Sequence, residues 1–177
     1  MLRLRHAVHA AALAGLVLAA GCSGTTDFTV TADFTNVSTA AGTVYGKSVL
    51  VDLQAQAPDA WKHRKKVKSL ELVGLDATAT RVTALPMTGS GAIWIGPGSA
   101  LTTSDPGVVQ VGSWPSEAIT GVPHSIGVTL SGASLAVIED ALKGDGRFVV
   151  FLSGTTVDAE NFDATAVLHV KLKYKVP

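Results

Sequence analysis

The chain has 177 residues, 47% of them hydrophobic and 16% charged, with 14 Lys and Arg set against 14 Asp and Glu. That neutral balance argues against a dedicated nucleic-acid binder, and one cysteine excludes an intrachain disulfide framework. The length suits one domain with an adequate core.

Residues 1–21 read as an export signal. Arg3 and Arg5 give a positive start, and Ala10 to Ala20 give an apolar run. A membrane-spanning helix needs roughly 20 apolar residues. This run is shorter, with His6 and His9 before it and Ser23, Thr25 and Thr26 after it. It ends at the sole cysteine. Leu18-Ala19-Ala20-Gly21-Cys22 resembles the lipobox of bacterial lipoproteins, in which small residues precede the lipid-bearing cysteine. Ala19 stands where leucine is commoner in that motif. The resemblance covers about the first 24 residues. It implies a diacylated Cys22 thiol, cleavage just before it and an acylated new amino terminus. It also implies a bacterial cell-envelope location with the membrane as partner. Ser23, where an aspartate would hold the protein at the inner membrane, points to the outer membrane if the cell is Gram-negative. Once Cys22 carries lipid no thiol remains, so cysteine nucleophiles and cysteine metal sites drop out.

After residue 21, twelve basic residues face fourteen acidic ones, a formal charge of −2. Ser23–Asp27 reads as a short polar tether, reaching at most about 17 Å. Residues 28–177 read as one domain. "FTVTADFT" alternates, with Phe28, Val30, Ala32 and Phe34 on one face of a strand. Ala40-Ala41-Gly42 reads as a bend before "TVYGKSVLVDL", whose Tyr45, Val49, Val51 and Leu53 share a face. Pro58 at a first helical position, followed by Asp59, predicts a short helix over 58–66. "VKSLELVGLDATATRV" is a strand whose apolar parity switches at Gly74, the mark of a bulge. "GSGAIWIGPG" reads as a strand, Pro106-Gly107 as a turn, the stretch after it as a short strand and residues 113–123 as loop. "HSIGVTL" is a strand with Ile126, Val128 and Leu130 on one side.

"SLAVIEDALKGDG" reads as a helix, with Ser134 capping it, Leu135, Ile138 and Leu142 on one face and Gly144 stopping it. "RFVVFLSG" is apolar on both faces and belongs in the middle of a sheet. From Phe162 to Val176 apolar residues keep a strict period of two, while His169, Lys171, Lys173 and Lys175 point the other way. Lysines along a strand commonly guard a sheet edge. "SVLVDL"–helix–"SLELVG" and "SIGVTL"–helix–"RFVVFLSG" hint at a duplicated strand–helix–strand unit. The fold expected is mainly β: an antiparallel sandwich, immunoglobulin-like in general architecture, with two short helices in connections.

Chemistry-bearing candidates are few. "WKHRKKVK" holds Lys62, Arg64, Lys65, Lys66 and Lys68 with His63. It reads as a contact patch for anionic lipid headgroups or acidic polymer, or else as a solvated helix face with Trp61 turned inward. Trp94 and Trp114 lie near glycine- and proline-rich loops, where aromatics either stack on sugars or close a core. Asp158, Glu160 and Asp163 cluster without the EF-hand pattern and read as a polar hairpin, and Asp105 reads as a turn former. His63, His124 and His169 are dispersed, and no metal-ligand spacing, nucleophile elbow or phosphate-binding loop occurs. The expected function is therefore non-catalytic binding or scaffolding at a membrane, with a protein or glycan partner in the envelope and no cofactor, metal or nucleic acid. Two alternatives carry their own structural tests. A glycan- or lipid-binding module needs a concave pocket lined by Trp94 or Trp114. A hydrolase needs one of the three histidines within reach of a serine or carboxylate in a cleft.

Overall fold

Strand residues that alternate apolar and polar can bury one face only if a second layer covers it. Here two antiparallel sheets cover each other. The computed structural model describes residues 23–40, 44–158 and 160–176. The strands are β1 (Ser23–Thr39), β2 (Val44–Asp52), β3 (Val67–Val82), β4 (Met87–Pro97), β5 (Val109–Ile119), β6 (His124–Ile126), β7 (Thr129–Leu130), β8 (Arg147–Thr156) and β9 (Glu160–Lys175). The helices are α1 (Leu53–Gln56), α2 (Pro58–Lys62) and α3 (Ala136–Lys143), with a 3-10 turn over Arg64–Lys66. One sheet runs β1-β9-β3-β6 and the other β2-β8-β4-β5-β7. Two packed antiparallel sheets with few helices is the architecture expected from sequence. The visiting order is finer detail: it is that of a jelly roll, in which the chain crosses repeatedly between the layers.

The core follows the alternation. Val30, Ala32 and Phe34 of β1 and the even-numbered residues of β9 from Phe162 to Leu172 are buried. The β3 bulge falls between Leu72 and Gly74, and Leu75, Ala77 and Ala79 take over the buried parity beyond it. β8 lies between β2 and β4 and is apolar on both faces. Phe148, Val150 and Leu152 enter the inter-sheet core. Val149 and Phe151 form a second cluster with Ala100, against which Trp94 and Val108 pack, so the loop between β4 and β5 folds back over the outer face. Asp105 ties that loop, accepting from Leu101 N (2.6 Å) and from Thr102 Oγ1 (2.8 Å). Ile138, Ala141 and Leu142 are the buried face of α3, and Leu135 is buried just before it.

Several expectations give way. Residues 23–27 are not a tether: they open β1 and pair with Lys175 to Lys171 of β9. Their polar composition hid this, because one face is solvated and the other carries only Gly24 and Thr26. The helix over 58–66 breaks at His63 into α2 and the 3-10 turn, and α1 precedes it. α1 starts because the Asp52 carboxylate accepts from Gln54 N at 2.9 Å and Ala55 N at 3.2 Å. Residues 113–119, expected as loop, continue β5; Pro115 lies in a register shift, where its missing N–H is tolerated. "HSIGVTL" is split: β6 joins the four-stranded sheet and β7 the five-stranded one. α3 starts at Ala136, and Ser134 Oγ only reaches Ala136 N at 3.3 Å. The two strand–helix–strand units are not equivalent. The first crosses from β2 in one sheet to β3 in the other, whereas the second opens on a segment divided between both sheets and closes on β8. Of the Ala40–Gly42 bend, Ala41 and Gly42 lie outside the described residues, as does Cys22.

β9 is central rather than an edge, flanked by β1 and β3. A clamp holds the three strands where bulges interrupt both β1 and β3. Asn36, at φ 54°, sits in the β1 bulge and its N–H donates to Asp163 Oδ1 at 2.7 Å. Arg81 donates to both oxygens of Asp163, at 2.7 and 2.9 Å, and to Asn36 Oδ1 at 3.0 Å. The Arg81 guanidinium, then the Asn36 N–H, lower the Asp163 carboxyl to about 2. A carboxyl lowered on folding stabilises the native state above its unfolded value near 4. That contribution disappears as pH falls through about 2. Denaturant midpoints followed from neutral to acid pH should therefore drop less steeply in Asp163→Asn than in the parent.

Candidate functional site

The charged residues of sequence-distant segments meet at one end of the four-stranded sheet. Ser23 of β1 lies opposite Lys175, and Thr25 opposite Lys173. On the other side of β9, Val67 of β3 lies opposite Tyr174 and Ser69 opposite Lys173. The 3-10 turn carrying Lys65 and Lys66 leads directly into β3. The run at 62–68 and the lysines at 171–175 thus share the end at which β1 begins. His63, between α2 and the 3-10 turn, reaches that end at Tyr174, whereas α1 packs on β1 near Thr31, and α3 packs on β3. The bond from Thr31 N to Gln56 Oε1 (2.8 Å) and that from Gln56 Nε2 to Thr31 O (3.0 Å) fasten α1 to β1.

Within this end the predicted basic residues divide by role. Lys62 pairs with Asp59 at 2.7 Å and holds that carboxyl below its ordinary range. Arg64 is half-buried; its guanidinium lies 4.4 Å from the Trp61 ring centroid and donates to Trp61 O at 2.9 Å. Trp61 packs against the core. His63 stacks on Tyr174, with ring centroids 3.8 Å apart. Lys65 and Lys66 are exposed, as are Lys68, Lys173 and Lys175, and none of the five has an ion-pair partner among the described residues. Lys171 differs, because Asp27 and Glu71 flank it on the neighbouring strands.

The two tryptophans do not join this end or each other. Trp114 is buried between the sheets. It lines an apolar cavity of about 20 Å³ with Tyr45, Phe34 and Phe162. That volume holds about one water and no sugar. Trp94 lies on the outer face of the five-stranded sheet, and its Nε1 donates to Ser153 Oγ at 3.0 Å. A groove of about 500 Å³ over β2 and β8 is lined by Val44, Lys47, Leu101 and Thr103, and by neither tryptophan.

Two histidines do meet carboxylates: His124 Nε2 lies 2.9 Å from Glu117 Oε1, and His169 Nε2 lies 2.8 Å from Asp76 Oδ2. The first pair joins β6 of the four-stranded sheet to β5 of the five-stranded one, and the second lies on the outer face of the four-stranded sheet. Such a pair orients an imidazole, but a nucleophile hydrogen-bonded to its second nitrogen is what turns it into a triad. Among the described residues no hydroxyl bonds either ring. The acidic trio separates. Asp163 serves the clamp, Glu160 is buried and accepts from Thr83 Oγ1 (3.0 Å), and Asp158 contributes its carbonyl to Thr156.

No family model and no curated protein matches this chain. Solved structures do. A structure of Cocksfoot mottle virus matches at 12% identity and TM-score 0.37, over 100% of this chain and 96% of that one. Turnip yellow mosaic virus matches at 13% and 0.33, over 98% and 92% respectively. Desmodium yellow mottle tymovirus matches at 11% and 0.30, over 87% and 90%. At such identities and scores nothing about activity or partner passes from those proteins to this one. The fold stands on its own strand pairings.

Sequence reasoning picked out Lys62, Arg64, Lys65 and Lys66 but not Lys173 and Lys175 as partners of the same surface. The signal that existed was lysine on alternate residues at the end of β9. Locally it reads as edge protection, because nothing near it says which strands lie beside it.

Proposed function

We propose that this chain is a membrane-anchored cell-envelope lipoprotein with a non-catalytic binding or scaffolding role, held through lipid on Cys22. The observation that carries the reading is the run Leu18–Cys22, a lipobox-like sequence closing the apolar segment at the sole cysteine. The start of β1 at Ser23 fits it: a strand beginning one residue after Cys22 leaves no spacer, so the domain would sit directly on the bilayer. In a Gram-negative cell that bilayer is the outer membrane. The envelope partner of the domain would be a protein or a glycan.

Intact mass of the exported protein tests this. The expected product begins at Cys22 and carries two or three acyl chains. A product with a free Cys22 thiol, or one cut elsewhere, overturns the reading.

A further inference from the structure

We propose that the end of the four-stranded sheet at which β1 begins is a docking surface for an anionic lipid bilayer, carried by Lys65, Lys66, Lys68, Lys173 and Lys175. The inference deepens the lipoprotein reading, since that reading supplies the reason this end faces a membrane.

The charge distribution carries it. The segments 23–27, 59–71 and 171–175, together with α3 beside the 3-10 turn, hold nine basic residues and five acidic ones, Asp27, Asp59, Glu71, Glu139 and Asp140. The rest of the chain after residue 21 holds three basic residues against nine acidic. A domain of formal charge −2 is thus strongly dipolar, and its positive pole is where the described chain enters. Of the carboxylates of that pole, Asp59 pairs with Lys62, while Asp27 and Glu71 lie opposite Lys171 in the strand register. The two last rungs are different. Lys173 has Thr25 and Ser69 as its neighbours, and Lys175 has Ser23. α3 brings two acidic groups beside the 3-10 turn: Glu139 pairs with Lys143, and Asp140 has no ion-pair partner among the described residues.

Position supplies the second argument. Ser23 lies opposite Lys175, so residue 22 is covalently next to a lysine rung. A chain held by that residue presents these five lysines to headgroups. Surface potential falls off within a Debye length of about 8 Å at physiological salt, so only the near pole feels it. Tilting the domain would bring acidic residues within that layer and be opposed, which favours an end-on orientation with β1, β3 and β9 rising from the surface. The occupant is the anionic headgroup layer, and the attraction comes from several weak contacts near a surface rather than from a pocket.

The test uses residues 22–177 carrying Cys22→Ser, a chain that contains every described strand and helix but no lipid. Sedimentation with mixed phosphatidylglycerol–phosphatidylcholine vesicles should show binding that salt reverses, and pure phosphatidylcholine vesicles should show none. Each Lys→Gln change among the five should lower partitioning about fivefold, equivalent to about 1 kcal/mol. Lys47→Gln, on the edge strand of the other sheet, should leave it unchanged. Unchanged melting temperatures would show that the variants fold. Equal binding to neutral vesicles, indifference to the five substitutions, or binding to a soluble acidic polysaccharide without affinity for phosphatidylglycerol vesicles each overturns the inference. These outcomes are independent of acylation. Failure here leaves a lipidated Cys22 standing, and a free Cys22 thiol in the exported protein leaves the basic surface standing.

Discussion

Cys22→Ser, with the chain exported behind a conventional cleavable signal, should release the protein from the tightly bound membrane fraction. One acyl chain gives only marginal, reversible binding. Each further buried methylene contributes about 0.8 kcal/mol, so two chains of about 14 methylenes supply on the order of 20 kcal/mol. The lysine end supplies far less, about 1 kcal/mol for each of its exposed cations at low ionic strength. The two sources should therefore separate in a wash. The parent should stay in the pellet at high salt and leave only with detergent. The variant should pellet weakly at low salt and wash off at high salt. A variant that resists salt like the parent is held by something other than lipid on Cys22, and the proposed function fails.

The second large effect concerns the five-stranded sheet. Tyr45 of β2, Gly154 of β8, Gly91 of β4 and Trp114 of β5 form one rung. The two aromatic side chains lean inward over the two glycines. Tyr45 reaches far enough to donate its hydroxyl to Ser90 O at 3.0 Å and to meet Phe162 edge-on at 5.2 Å. A Cβ on Gly154 would fall inside the radii of Ser90 O and the Tyr45 hydroxyl. The Ser90 contact is backbone, so the sheet itself must move. Overpacking of this kind costs about 1–3 kcal/mol and occasionally more. Displacing the buried phenol from its acceptor adds about 1–3 kcal/mol.

Gly154→Ala should therefore lose roughly 3–5 kcal/mol, a large share of the 5–15 kcal/mol that holds an ordinary domain. In a domain this size that lowers the melting temperature by about 10 °C. Adding Tyr45→Phe should recover a small part of the loss, because the hydroxyl clash goes while those with Ser90 O and the ring carbon Cζ stay. Thermal melts of the single and double variants decide it. A Gly154→Ala protein melting like the parent would show that the rung has room for a methyl group.

Both predictions combine a local reading with a non-local one. Lipid attachment at Cys22 is read from five consecutive residues and needs no fold. The glycine rung is invisible in sequence, since Tyr45, Gly91, Trp114 and Gly154 are scattered over more than a hundred positions. Nothing near Gly154 says that a tyrosine from another strand will lie over it.

The amino-acid sequence by itself determined what depends on neighbours along the chain: the period-two faces of β1 and β9, the parity switch at Gly74, Pro58 at the start of α2 and the buried stripe of α3. Side-chain direction in a strand or helix is set by spacing, and burial of one face follows from it. Tertiary structure alone decided which strands lie side by side. Pairing joins residues far apart, as Ser23 with Lys175 and Val67 with Tyr174 show, and its register depends on the whole set of competing partners. For that reason the same lysines on β9 read locally as guards of an edge, whereas in the folded chain they stand mid-sheet beside a second basic run and give the domain its positive pole.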